Sequence, residues 1–125
     1  MYTILVVDDE KDIVSALEIY LKAEGYRVLS AGNGKEALSV AAREDVHLIL
    51  MDIMMPVMDG LEATRIIRKM ERPDAVQIPI FAMTANAFSD DRKRCKEAGM
   101  TEHLAKPLNS EKMIAKLRLY YNRKV

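Results

Sequence analysis

Strand-like and helix-like segments alternate five times along this chain, and this alternation limits the fold more than any other feature. Short apolar runs bounded by polar or turn residues are typical of buried strands. They lie at Ile4–Val7, Tyr26–Ser30, His47–Met51, Ile78–Met83 and Thr101–Ala105. A segment with helical character follows each run, and the last two are Ala87–Ala98 and Ser110–Arg123. Five β-α units in succession predict an α/β fold, a parallel sheet with helices on both faces.

Length and charge exclude several classes of protein. The chain has 125 residues, which is the size of one domain, and we expect a single domain over residues 1–125. Nineteen Lys and Arg balance nineteen Asp and Glu, so no overall field favours nucleic acid or an anionic membrane. The single cysteine, Cys95, excludes an internal disulfide. With apolar runs shorter than the ~18 residues of a membrane span and no secretory signal, we expect a cytoplasmic protein.

Acidic residues stand at the carboxyl ends of two predicted strands. Asp8 and Asp9 follow the first strand, and Asp52 follows the third. In an open parallel sheet, ligands bind beyond these ends, where the strand order reverses. One such acid alone would be explained as a helix cap or a turn residue. If the first and third strands are neighbours, however, three carboxylates converge, and oxygen ligands without His or Cys favour Mg²⁺.

A hydroxyl and a positive charge stand at the carboxyl ends of the fourth and fifth predicted strands. Thr84 ends the fourth strand and Lys106 follows the fifth. Taken singly, Thr84 would be a helix cap and Lys106 a solvated surface lysine. Together with the acids, they suit a phosphoryl group, whose oxygens a metal and an ammonium neutralise and a hydroxyl orients.

These motifs resemble those of the receiver domains of bacterial response regulators. The resemblance covers essentially the whole chain and is carried by four motifs, Ile4–Glu10, Met51–Gly60, Met83–Ala85 and Lys106–Pro107. It implies a flavodoxin-like, doubly wound sheet of five parallel strands in the order 2-1-3-4-5. The later segments Ile78–Phe88 and Cys95–Met100 look most like receivers of hybrid sensor histidine kinases.

The resemblance implies a phosphorylation site that depends on Mg²⁺. Asp52 is then the nucleophile that accepts a phosphoryl group from the phosphohistidine of a histidine kinase or a histidine phosphotransfer domain. Asp9, Asp52 and the backbone carbonyl of Met54 would bind Mg²⁺ directly, and Asp8 would bind it through a water. We therefore expect a phosphoacceptor with its own phosphotransfer and autophosphatase chemistry rather than an enzyme. A stand-alone protein and a domain of a hybrid kinase both stay open, as does a homodimer of the phosphorylated form.

The same resemblance assigns roles around the phosphoryl group. Thr84 would donate a hydrogen bond to its oxygens and Lys106 would pair with them, aimed by a cis peptide bond before Pro107. In the family, an aromatic residue three positions before the lysine turns inward after the threonine moves. This chain has His103 there, so Thr84 and His103 are the predicted switch residues. The alternative is a half-exposed strand histidine without a signalling role.

Helix four of the prediction has a thin apolar stripe. Apolar residues stand at Phe88, Cys95 and Ala98, with charged residues between them. So narrow a stripe buries little surface, and local stability should be low there. In the family, helix four, strand five and helix five form the face that changes on phosphorylation. The alternative is a solvated helix that takes no part in signalling.

Two positions predict how long the phosphoryl group survives. Hydrolysis needs an aligned water, and the side chains best placed to hold it come two residues after the nucleophile and two after the threonine. These are Met54 and Asn86. A thioether is a poor hydrogen-bond partner and Asn86 lacks the charge of an acid, so we expect slow self-dephosphorylation.

Two other classes of protein fit the residues less well. A haloacid-dehalogenase-like phosphatase also uses a strand-end Asp with Mg²⁺, Thr and Lys. It requires a second acid two residues after the nucleophile, where this chain has Met54. A flavodoxin-like cofactor binder requires a hydroxyl- and glycine-rich loop after the first strand, where this chain has Asp8–Glu10.

Overall fold

The computed structural model describes residues 2–85 and 89–123, and in these ranges five strands alternate with five helices. In chain order they are β1 (Thr3–Val7), α1 (Lys11–Ala23), β2 (Arg27–Ala31), α2 (Gly34–Arg43), β3 (Leu48–Asp52), α3 (Gly60–Ile67), β4 (Ile80–Thr84), α4 (Ser89–Ala98), β5 (Glu102–Ala105) and α5 (Ser110–Arg123). The predicted alternation is confirmed. Ala87 and Phe88, assigned to the fourth helix from the sequence, lie outside the described residues.

The strands form one parallel sheet in the order β2-β1-β3-β4-β5, as predicted. The order reverses between β1 and β3, which are direct neighbours. Asp52 at the end of β3 is paired with Met83 of β4, and Thr84 is paired with Ala105 of β5. The carboxyl ends of these strands therefore lie side by side, and the residues that follow them are close together at one edge of the sheet.

Two apolar layers hold the helices against the sheet. The three central strands are buried along their whole length, which is why their sequences are continuous apolar runs. α2, α3 and α4 pack on one face and α1 and α5 on the other. Leu17 and Leu21 of α1 and Leu117 of α5 lie in the second layer, and burying each stabilises the fold by about 1.5–3 kcal/mol. None of the helices in the described ranges is long and apolar enough to cross a membrane.

All five predicted strands differ from the observed ones by one or two residues at one end or at both. β4 begins at Ile80 rather than Ile78, because Pro79 has no N–H to donate to a neighbouring strand. β3 begins at Leu48, one residue after the predicted start at His47. His47 still contacts the start of β1, because its backbone N–H donates to the carbonyl of Thr3 and its imidazole Nδ1 accepts from the N–H of Thr3. At the carboxyl ends of the strands the difference never exceeds one residue, so the predicted edge is preserved.

Helix α4 has the thin apolar stripe that its sequence predicts. Of its described side chains, Cys95 and Ala98 are buried against α3 and the sheet. Arg92, Lys93 and Arg94 are exposed. Little apolar surface therefore holds α4 to the rest of the fold.

Candidate functional site

The three predicted acidic residues converge at the carboxyl ends of β1 and β3. One carboxylate oxygen from each of Asp8, Asp9 and Asp52 lies within 4.8 Å of the others. Asp8 and Asp52 are only 2% and 4% exposed, whereas Asp9 is exposed. Removing carboxylates from water is costly unless a cation or hydrogen bonds compensate. The donor set contains oxygen alone, which fits Mg²⁺.

A lysine faces this cluster from the end of β5. Lys106 Nζ lies 2.9 Å from Asp8 Oδ2 and 3.5 Å from Asp52 Oδ2. Its backbone N–H donates to the carbonyl of Thr84, and the peptide bond to Pro107 is cis, as the resemblance implies. Burial lowers the pKa of the Lys106 ammonium, but hydrogen bonding and attraction to the two carboxylates outweigh it and raise the pKa. The lysine is therefore positively charged at neutral pH.

The environment of Asp52 disfavours its charged form. Burial, and then repulsion from the Asp8 carboxylate, raise the pKa of Asp52 from 3.8 to about 6. The backbone N–H of Met54, 3.2 Å from Asp52 Oδ1, and the ammonium of Lys106 lower it by less. Of the three clustered carboxylates, the Lys106 ammonium thus lies close to two, those of Asp8 and Asp52. The residual negative charge is what a bound divalent cation would neutralise.

Thr84 carries a buried hydroxyl at the same edge of the sheet. The residue has no exposed surface, and within 2–85 and 89–123 its Oγ1 has no hydrogen-bond partner. An unsatisfied buried hydroxyl costs about 1–3 kcal/mol, and native structures contain few of them. The hydroxyl is thus available to an incoming acceptor, such as a phosphoryl oxygen.

A family model described as the response regulator receiver domain matches residues 4–118. The chain belongs to this family. The resemblance drawn from the strand-end motifs is therefore confirmed, and the flavodoxin-like order 2-1-3-4-5 with it. The chain is therefore a receiver domain of two-component signalling rather than a haloacid-dehalogenase-like phosphatase or a flavodoxin-like cofactor binder.

Solved receiver structures superpose on the whole fold. The receiver domain of Francisella response regulator 1452 is 26% identical with a TM-score of 0.90, and the match covers 100% of both chains. A Vibrio cholerae chemotaxis protein, CheY4, is 31% identical over 96% of this chain and 98% of its own, with a TM-score of 0.89. The receiver domain of a Pseudomonas aeruginosa sensor histidine kinase is 39% identical over 95% of this chain and 96% of its own, with a TM-score of 0.87. That structure holds a magnesium ion coordinated in its active-site cleft.

The side chains of Met54 and His103 are not part of the acidic cluster. Met54 follows the acidic cluster with a side chain that is 72% exposed. His103 of β5 is half-buried and lines a cavity of about 420 Å³ with Arg92 and Lys116, between α4 and α5. Its role as a switch residue stays a prediction. Asn86 lies outside the described residues.

Two contacts of the site had no clear signal in the sequence. The backbone N–H of Glu10 donates to Asp8 Oδ1 at 2.9 Å, which fixes that carboxylate at the start of α1. Gly60, the first residue of α3, packs directly on the backbone of Asp52. The Asp59-Gly60 pair marks a turn in the sequence, but it does not show which part of the chain the glycine approaches.

The raised pKa of Asp52 predicts an effect on stability. Its carboxylate is charged above pH 6, where the folded state carries an electrostatic penalty that the unfolded state lacks. Without divalent cations at pH 7, Asp52→Asn should therefore raise the free energy of unfolding by about 1–3 kcal/mol. Urea unfolding measures this gain, which should diminish as the pH falls from 7 to 4 because wild-type Asp52 becomes neutral in the folded state.

A matched control separates this effect from the effect of removing a negative charge anywhere on the protein. Glu71→Gln removes one negative charge from an exposed position in the loop between α3 and β4. It should change the free energy of unfolding by less than ~0.5 kcal/mol. A less stable Asp52→Asn variant in the absence of metal would contradict the electrostatic interpretation of the cluster.

Proposed function

We propose that this receiver accepts a phosphoryl group on Asp52 from the phosphohistidine of a histidine kinase or a histidine phosphotransfer domain, in a reaction that depends on Mg²⁺. The observation that carries the proposal is the convergence of Asp52 with two further carboxylates and the Lys106 ammonium. Two-component signalling is the function of the family, and the identity of the acceptor residue is the part that we infer. The Asp is modified in each cycle, so we describe the domain as a phosphoacceptor rather than an enzyme.

The residues present fit a magnesium ion. Asp9, Asp52 and the backbone carbonyl of Met54 would hold it directly, and Asp8 would do so through a water. When bound, Mg²⁺ neutralises charge on the phosphoryl oxygens and on the attacking carboxylate. The Asp8 carboxylate is already held by the N–H of Glu10, so it can take this role without rearrangement of β1.

Each side chain of the site has a part in the transfer. A carboxylate oxygen of Asp52 attacks phosphorus, the P–N bond to the donor histidine breaks, and its electron pair returns to the imidazole. The products are an acyl phosphate on Asp52 and an unphosphorylated histidine. Lys106, which already faces both buried carboxylates, pairs with the phosphoryl oxygens. Thr84 donates its unsatisfied hydroxyl to one of them.

A small phosphodonor tests this proposal without a partner protein. The receiver is incubated with Mg²⁺ and acetyl phosphate at neutral pH, and its intact mass is followed. We expect the mass of one added phosphoryl group, its removal by hydroxylamine because an acyl phosphate is labile to this nucleophile, and no addition when a chelator is present. An adduct that resists hydroxylamine, or one that forms equally well with the chelator, would refute the proposal.

Phosphorylation should change amide hydrogen exchange in α4 and β5 more than in α1. Only Cys95 and Ala98 among the described side chains of α4 are buried, whereas α1 is anchored by Leu17 and Leu21. The α4 segment thus opens at a lower free-energy cost. Amide hydrogen exchange, measured with and without the phosphodonor, should change more in α4 and at His103 than in α1. Equal or larger changes in α1 would count against α4, β5 and α5 as the output face.

A further inference from the structure

Helix α3 begins in direct contact with the backbone of the acceptor residue. A Cβ atom on Gly60 would lie 2.2 Å from the carbonyl oxygen of Asp52 and 3.0 Å from its carbonyl carbon. It would also lie 2.8 Å from Cγ of Met51. These distances are far below van der Waals contact, so only a residue without a side chain fits here.

Hydrogen bonds hold Gly60 in this position. Its N–H donates to the carbonyl of Ile53 at 3.3 Å, and its own carbonyl accepts from the buried hydroxyl of Thr64 at 2.7 Å. The side chain of Asp59 caps the helix by accepting from the N–H of Glu62 at 2.8 Å. The first turn of α3 is therefore fixed, and a side chain at position 60 would have to displace either this turn or Asp52.

The peptide of Asp52 is also confined on its other side. Asp52 is paired with Met83 of β4, and the N–H of the following Ile53 donates to the Met83 carbonyl at 3.3 Å. The two contacts of the carboxylate, to the N–H of Met54 at 3.2 Å and to Lys106 at 3.5 Å, are already long. A small shift of the backbone would therefore break them.

We propose that Gly60 is a positioning residue for phosphoryl transfer. Its missing side chain lets α3 seat against the backbone of Asp52, and this contact sets where the carboxylate lies relative to Lys106 and the Met54 N–H. The inference rests on the proposed role of Asp52 as the acceptor. A displacement of about 1 Å in a reacting group can slow a reaction by about a hundredfold.

Gly34 provides a matched control for the substitution Gly60→Ala. It is likewise the first residue of a helix, α2, behind an N-cap whose side chain accepts from a backbone N–H. A Cβ on Gly34 would lie 2.6 Å from the carbonyl oxygen of Met58, 2.9 Å from Cγ of Met58 and 3.1 Å from Cβ of Ala63 in α3. Gly34→Ala thus creates a comparable clash that presses on Met58 and Ala63 but not on the backbone of Asp52.

The two variants are compared by labelling with acetyl phosphate and Mg²⁺, under conditions where urea unfolding shows each to be folded. We expect Gly60→Ala to be labelled about a hundredfold more slowly than wild type and to shift the amide resonance of Met54. Gly34→Ala should lose stability but keep the wild-type labelling rate and Met54 resonance. Equal labelling rates in both variants would overturn the positioning role of Gly60. Failure of wild type to be labelled on Asp52 would instead overturn the proposed function.

A second variant covers the case in which Gly60→Ala does not fold. Thr64→Val keeps the shape of the side chain but removes the hydrogen bond to the Gly60 carbonyl, which loosens the first turn of α3. It should also slow labelling and shift the Met54 resonance, in the same direction but by less. A Thr64→Val variant with the wild-type rate and an unchanged Met54 resonance would reject the positioning role.

Discussion

Replacing Asp52 by Asn is expected to abolish acyl-phosphate formation by this receiver. An amide has no anionic oxygen with which to attack phosphorus, and it also weakens the metal site by removing one carboxylate. Intact-mass measurements over the time course of wild-type labelling would show no adduct. The variant is expected to be at least as stable as wild type without metal, so unfolding would not explain the loss.

The control for this variant is an Asp→Asn change outside the cluster. Asp45 lies in the loop before β3, its side chain is 84% exposed, and it faces the imidazole of His47. Asp45→Asn should be labelled at the wild-type rate. Undiminished labelling of Asp52→Asn would mean that another residue accepts the phosphoryl group and would overturn the assignment.

Substituting Met54 by Asn is expected to speed loss of the phosphoryl group by about tenfold or somewhat more. The thioether of Met54 cannot align the attacking water, whereas an Asn amide at this position can hydrogen-bond to it. The side chain is 72% exposed, so the substitution should leave the fold intact. The measurement is the decay of the phosphorylated protein after excess donor has been removed, and Asn86→Glu should add to the effect.

Two comparisons isolate the role of this side chain. Met54→Leu keeps an apolar group of similar size and should decay as slowly as wild type. Mg²⁺ binding by Met54→Asn should be unchanged, because position 54 would contribute its backbone carbonyl to the metal. An unchanged or slower decay in Met54→Asn would show that the inability of the Met54 thioether to align the water does not determine the lifetime.

The convergence of the site was predictable from the sequence because it follows from topology. In a parallel sheet, residues that follow the strands share one edge, so Asp8, Asp52 and Lys106 had to lie close together once β1, β3, β4 and β5 were placed. Apolar runs fixed those strands, since both faces of the sheet are covered. The predicted ends of the strands differ from the observed ends by one or two residues. At the start of β4, for example, Pro79 delays the strand to Ile80.

Contacts between distant backbone atoms could not be predicted in this way. The close approach of Gly60 to Asp52 depends on how α3 packs, and a glycine in a turn gives no sign of its neighbour. Arg68, at the end of α3, is a similar case. Its half-buried guanidinium in fact donates to the carbonyls of Gly99 and Ile78, which ties α3 to the segments before β4 and β5. Backbone carbonyls carry no sequence signature, so such partners become apparent only in three dimensions.

The most direct test of the central claim identifies the residue that carries the phosphoryl group. An acyl phosphate on aspartate is reduced by borohydride to homoserine, which changes the mass of one residue permanently. The receiver would be treated with Mg²⁺ and acetyl phosphate, reduced, digested and sequenced by mass spectrometry. We predict homoserine at position 52 alone, and none when Mg²⁺ is chelated. Homoserine at position 8 or 9, or a phosphorylated protein without homoserine at 52, would contradict the claim that Asp52 is the acceptor.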